Sequence, residues 1–109
     1  MKKELTNEIG GLHALQLARE LSKVPGMTFT LAFFQYSRTK QLASDKLETK
    51  KGCTVRKQLP ADQFSIDSEN LFLFTDGDNH PRMCYRYLMR YIGFPQDNFK
   101  LHKINWFKI

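Results

Sequence analysis

Arg82, Arg86 and Arg90 stand four residues apart in the stretch from Pro81 to Phe94, PRMCYRYLMRYIGF, which also holds Tyr85, Tyr87, Tyr91 and Cys84. A spacing of four keeps side chains on one side of either a helix or a strand, because it is close to a multiple of both 3.6 and 2. The three guanidinium groups therefore form a one-sided row in either conformation, and the row alone does not specify its ligand.

Two more basic blocks widen the choice. Arg38 to Lys57 holds seven basic and two acidic residues, with Lys50, Lys51, Arg56 and Lys57 at its end. Near the C-terminus Lys100, His102, Lys103 and Lys108 alternate with Trp106 and Phe107. Cations interleaved with aromatic rings suit phosphate contact together with base stacking. The residues expected to bind nucleic acid or a partner are thus Arg82, Arg86, Arg90, Lys50, Lys51, Arg56, Lys57, Lys103 and Trp106. The rival reading is a protein contact or self-association, since Arg and Tyr are enriched at interface hot spots and Met adds adaptability. An acidic block, with Asp62, Asp67, Glu69, Asp76 and Asp78 and no basic residue, lies just before the arginine row. Part of the net charge of +6 is therefore expected to be neutralised within the fold.

Other chemistries find less support. The chain has neither a CxxC nor an HxxxH pair, the usual marks of a zinc site. Asp76 to His80, DGDNH, begins like a calcium loop, but Pro81 stands where glycine is needed and Tyr87 where the closing glutamate belongs. A tight turn is expected there instead. Cys53 and Cys84 are expected to be free, inert thiols, and neither GxSxG nor a glycine-rich phosphate loop is present. The expectation is a non-enzymatic module without metal, cofactor or small-molecule substrate.

The elements that must carry these side chains follow from periodicity. Ala14, Leu17, Ala18 and Leu21 fit an amphipathic helix over Leu12 to Val24, stopped by Pro25-Gly26. Met27 to Tyr36, MTFTLAFFQY, is apolar at both parities and predicts a strand central in its sheet. Ser37 to Lys51 predicts a polar loop, or a loop with a short amphipathic piece around Leu42 to Leu47, Cys53 to Leu59 a strand, Leu71 to Thr75 a strand, and Phe99 to Phe107 a closing strand. For Arg82 to Ile92 the patterning favours a second helix, with Cys84, Leu88 and Tyr91 opposite the arginines. A hairpin of Leu71–Thr75 with Arg82–Leu88 is the alternative.

Length and composition bound the rest. A chain of 109 residues, 41% hydrophobic and 13% aromatic, predicts a single globular domain, with residues 1–9 as a frayed polar lead-in. The longest apolar runs are four residues, which excludes a spanning helix, and MKKELTNEIG has no apolar core of a secretory signal. A cytoplasmic setting is expected.

At Cys84-Tyr85, Leu88-Met89-Arg90 and Lys103 to Phe107 the chain resembles small basic proteins encoded in bacterial prophages and conjugative elements. The resemblance implies an intracellular accessory or structural protein, β-rich, and it argues against a helix at 82–92. It carries no catalytic residue onto this sequence. The combined expectation is an α+β fold: an N-terminal helix on an antiparallel sheet of four to five strands, with a second helix at 82–92. Its function would be nucleic-acid binding, with a protein adaptor or structural accessory of a mobile element as the alternative.

Overall fold

The computed structural model describes residues 8–37, 42–56 and 70–107. The chain runs β1 (Glu8–Gly10), α1 (Gly11–Ser22), β2 (Phe29–Ser37), β3 (Leu42–Val55), β4 (Leu71–Thr75), β5 (Pro81–Tyr85), a 3-10 turn (Arg86–Leu88), β6 (Met89–Gly93), a second 3-10 turn (Pro95–Asp97) and β7 (His102–Asn105). The strands form one seven-stranded mixed sheet in the order β1-β7-β6-β2-β3-β4-β5. The β1–β7 pair is parallel and the remaining pairs are antiparallel.

This overturns the expected architecture of four to five antiparallel strands and two helices. The stretch from Arg82 to Ile92 is not a helix. It is β5, one 3-10 turn and β6. A helix there would have buried mainly Cys84, Leu88 and Tyr91. The strand path buries Cys84, Met89 and Ile92 and completes backbone ladders on two sides, with β4 and with β2. Tyr, Cys and Ile also suit a pleated, half-buried surface. The second revision is β3, which begins at Leu42 inside the stretch read as a polar loop. Its pairing partner β2 supplies the apolar side chains, so β3 needs little apolar alternation of its own.

The sheet curls over itself. Phe33 on β2 meets Phe74 on β4 edge to face at 5.7 Å, although β3 lies between those strands in the ladder order. Phe29, Leu31 and Phe33 of β2 turn inward onto Phe72 and Phe74. β5 then passes through a single 3-10 turn into β6, which lies on the other side of β2, so three residues connect the two ends of the ribbon β6-β2-β3-β4-β5. Each inward Phe contributes about 1.5–3 kcal/mol by burial. Ala14, Leu15 and Ala18 of α1 join the same core. Ser22 fastens the helix end: its hydroxyl donates to the Ala18 carbonyl at 2.8 Å and accepts the Val55 N–H at 2.9 Å.

Among the described residues no helix is long and apolar enough to cross a membrane.

Candidate functional site

The arginine row is dispersed by the fold. Arg82 on β5 donates from Nε to Asp76 Oδ2 at 2.8 Å. The other Asp76 oxygen accepts the backbone N–H groups of Asp78 and His80, each at 3.0 Å. The Arg82 hydrogen bond, then that from His80, lowers the Asp76 carboxyl to a pKa of about 2. Asp76 to His80 is the expected tight turn, and its buried carboxylate is committed to holding it. Asp76, Asp78 and His80 lie close together, but the Asp76 oxygens serve the turn and Arg82. Asp67 and Glu69, the other acids expected to face the row, fall outside the described residues.

Arg56 joins β4 to β5, donating from Nε to the Phe74 carbonyl at 3.1 Å and from Nη2 to the Arg82 carbonyl at 2.9 Å. Arg86 sits half-buried in the 3-10 turn. Trp106 is also a fastener. Its indole N–H donates to the Met89 carbonyl at 3.1 Å, and its ring meets Tyr87 edge to face at 5.2 Å. The same ring fills the space over Gly11, where an added Cβ would lie 2.0 Å from Trp106 Cε3. Lys50 stands across from Leu31 and is half-buried. Lys57 lies outside the described residues. Cys53 and Cys84 are buried, and burial pushes both thiols up to about 12, so they stay protonated at neutral pH.

Arg90 has a different fate. Across β2 and β6, Ala32 faces Tyr91 and Phe33 faces Met89, so Arg90 has no opposite residue. Such a bulge turns an extra side chain out of the ladder. Arg90 is exposed, and its guanidinium carbon lies 6.0 Å from the centroid of the Phe34 ring. Phe34 belongs to the parity of Thr28, Thr30 and Ala32, opposite the inward Phe29, Leu31 and Phe33. It pairs with Leu47 on β3, while Tyr91 pairs with Lys103 on β7. These registers build a groove of about 420 Å³ across four strands, lined by Phe34, Leu47, Arg90, Tyr91, Lys103 and Ile104. Among the described residues the lining holds two cations, two aromatic rings and no acid.

Of the nine expected site residues, this groove unites Arg90 and Lys103. Lys51 lines a second depression farther along the same strands. Arg82, Arg56 and Trp106 are engaged in holding strands together. Phe34, Leu47 and Tyr91 were not expected as site residues. The parity of MTFTLAFFQY does place Phe34 with the threonines, which is the signal that would have found it. Comparison with family models, with curated proteins and with solved structures finds no match to this chain.

Proposed function

We propose that this protein is a small basic binding module that takes a short single-stranded nucleic-acid segment on the outer face of its sheet. The observation that carries this reading is the groove, where Phe34 and Tyr91 stand beside Arg90 and Lys103. Aromatic rings stack with any base, and cations beside them meet the backbone phosphates. An open sheet face with this pairing suits single strands, whose bases are free to stack on it.

The test is fluorescence anisotropy with labelled single-stranded DNA and RNA oligomers at low salt. Stacking contributes about 1–3 kcal/mol per base, so Phe34→Ala and Tyr91→Ala should each weaken binding by about 5-fold to 150-fold. Both residues lie on the outer face, so circular dichroism of the variants should match the wild type. Failure of the wild type to retain any oligomer at low salt refutes the reading.

A second reading, a protein contact or self-association, is favoured by one cluster elsewhere. Phe107 is 95% exposed, Leu12 73% and Tyr87 63%, all adjoining Trp106 through chain neighbours or ring contact. Sedimentation of the wild type against Phe107→Ser decides it. A monomer at all concentrations in both forms removes the self-association version.

A further inference from the structure

The outer face does not end at the groove. A second depression of about 500 Å³ lies at the other end of the same strands, and Thr28, Thr30, Thr49, Lys51, Asn98 and Phe99 are among its walls. The two are joined by one rung of the sheet: Thr49 faces Ala32, Ala32 faces Tyr91, and Tyr91 faces Lys103. We propose that this second depression is a base-reading subsite, in which the threonine hydroxyls and the Asn98 amide hydrogen-bond the edge of a nucleobase stacked on Phe99. The inference rests on the nucleic-acid reading of the groove and adds to it a preference among bases.

The chemistry of the two depressions differs. The groove offers rings and cations, which any base and any phosphate satisfy. The second depression offers the Thr28 and Thr49 hydroxyls and a carboxamide, groups that both donate and accept, over the buried Thr30. Such groups discriminate between base edges, because each edge carries its own donor and acceptor pattern. Lys51 stands beside them to meet a phosphate, and no acid is among the described lining residues.

The wall carrying Asn98 and Phe99 is held in an uncommon backbone shape. Both residues are left-handed, with φ 61° and 62°. For Phe this conformation is rare and persists only where neighbours fix it. They do so here: the Phe99 N–H donates to the Phe94 carbonyl at 2.8 Å, and Lys100 N–H to the Asp97 carbonyl at 3.2 Å. His102 Nε2 also pairs with Asp97 Oδ2 at 2.5 Å. Gly93 lets the loop close down on β6, since an added Cβ there would lie 2.5 Å from the Phe99 carbonyl oxygen. The result is a Phe side chain that remains 41% exposed on a fixed loop.

The span fixes the length of the ligand. From Phe34 on β2 to Thr28, just before the strand begins, is six residues, about 20 Å at about 3.3 Å per residue. Stacked nucleotides advance about 3.4 Å each, so the face takes about six, a length comparable to the about 4–16 nucleotides that single-strand-binding OB-folds cover.

The experiment uses the full chain and fluorescein-labelled homo-oligomers of each base, in a series of lengths, read by anisotropy. Affinity should rise with length to about six nucleotides and then level, and the homo-oligomers should differ by about 10-fold or more. Thr49→Val with Phe99→Leu should collapse that spread to about twofold while groove binding persists. Lys51→Gln should weaken all of them alike and leave the spread intact. Phe34→Ala should likewise lower every affinity and keep the preference. Equal affinity of the wild type for all bases, or a spread untouched by the Thr49/Phe99 variant, overturns the subsite and leaves the groove standing. Absence of binding to every oligomer at low salt overturns the underlying reading and this inference with it.

Discussion

Neutralising Arg90 and Lys103 should change how binding depends on salt, and by a calculable amount. Three cations are among the described residues that line the two depressions: Arg90 and Lys103 in the groove and Lys51 in the second depression. On single strands, log K falls with log salt at a slope of about −0.7 per neutralised phosphate. Three contacts give a slope of about −2, so raising salt from about 50 to about 200 mM weakens binding about 20-fold. The double variant Arg90→Gln, Lys103→Gln keeps one contact, with a slope of about −0.7 and a loss of about threefold over the same range. The assay is anisotropy of a labelled single strand at several salt concentrations. The control is Arg19→Gln with Lys23→Gln, which removes the same charge from exposed positions on α1 and just past its end. That control should keep the wild-type slope. If both double variants lower the slope equally, binding is a diffuse effect of net charge and the groove argument fails. The same holds if the Arg90/Lys103 variant keeps the wild-type slope.

Other expectations concern the supports of the face. Gly11→Ala drives a Cβ into the Trp106 ring and should destabilise the fold by about 1–3 kcal/mol, the usual cost of overpacking, read as a lower urea midpoint. The Asp76 carboxyl is lowered from 3.8 to about 2, so it contributes stability above about pH 4 that is lost as pH falls through about 2. Asp76→Asn should destabilise the protein at neutral pH and flatten its acid unfolding between those values, measured by thermal melts across pH. The thiols of Cys53 and Cys84 are raised from 9.0 to about 12, so the stability they contribute is full below about pH 9 and fades as pH rises toward 12. Native protein at neutral pH should resist alkylation by iodoacetamide, and unfolded protein should label at both cysteines. Rapid labelling of the native form would contradict the burial of these thiols.

How much of this was legible in the sequence depends on which side chains met which. Helix α1 follows from Ala14, Leu17, Ala18 and Leu21 because its apolar face is local and periodic. The strand Leu71–Thr75 and the turn at Asp76–His80 were legible because a short apolar run and an Asp/Gly/Asn-rich stretch are also local signals. The strand β3 was not, because Lys46 to Lys51 carry no apolar alternation and their pairing is dictated by β2. The arginine row was read correctly as a spacing and incorrectly as a face. A spacing of four survives in a uniform helix or strand, but here a 3-10 turn falls at Arg86 and a bulge at Arg90. Those two interruptions break the row, leaving Arg82 with Asp76 and Arg90 beside Phe34. The bulge is a product of strand register, which no single stretch of sequence encodes. The expected opposition between acids and arginines was half legible, since Asp76 does take Arg82.

The parallel pair β1–β7 joins Glu8 to Lys103 and Gly10 to Asn105, positions nearly a full chain length apart. Loop-closure entropy grows with the length enclosed, so such a pairing is reached only after the nearer ladders have formed. Lys103 enters the groove from that strand, and Trp106 locks it by filling the space over Gly11. An emerging or partly unfolded chain that has built β2, β3 and β6 already displays Phe34 and Tyr91, yet lacks one of the groove's two cations. The groove's second cation thus arrives with β7 through its short-range ladder to β6, and the pairing with β1 then fastens that strand from its other side.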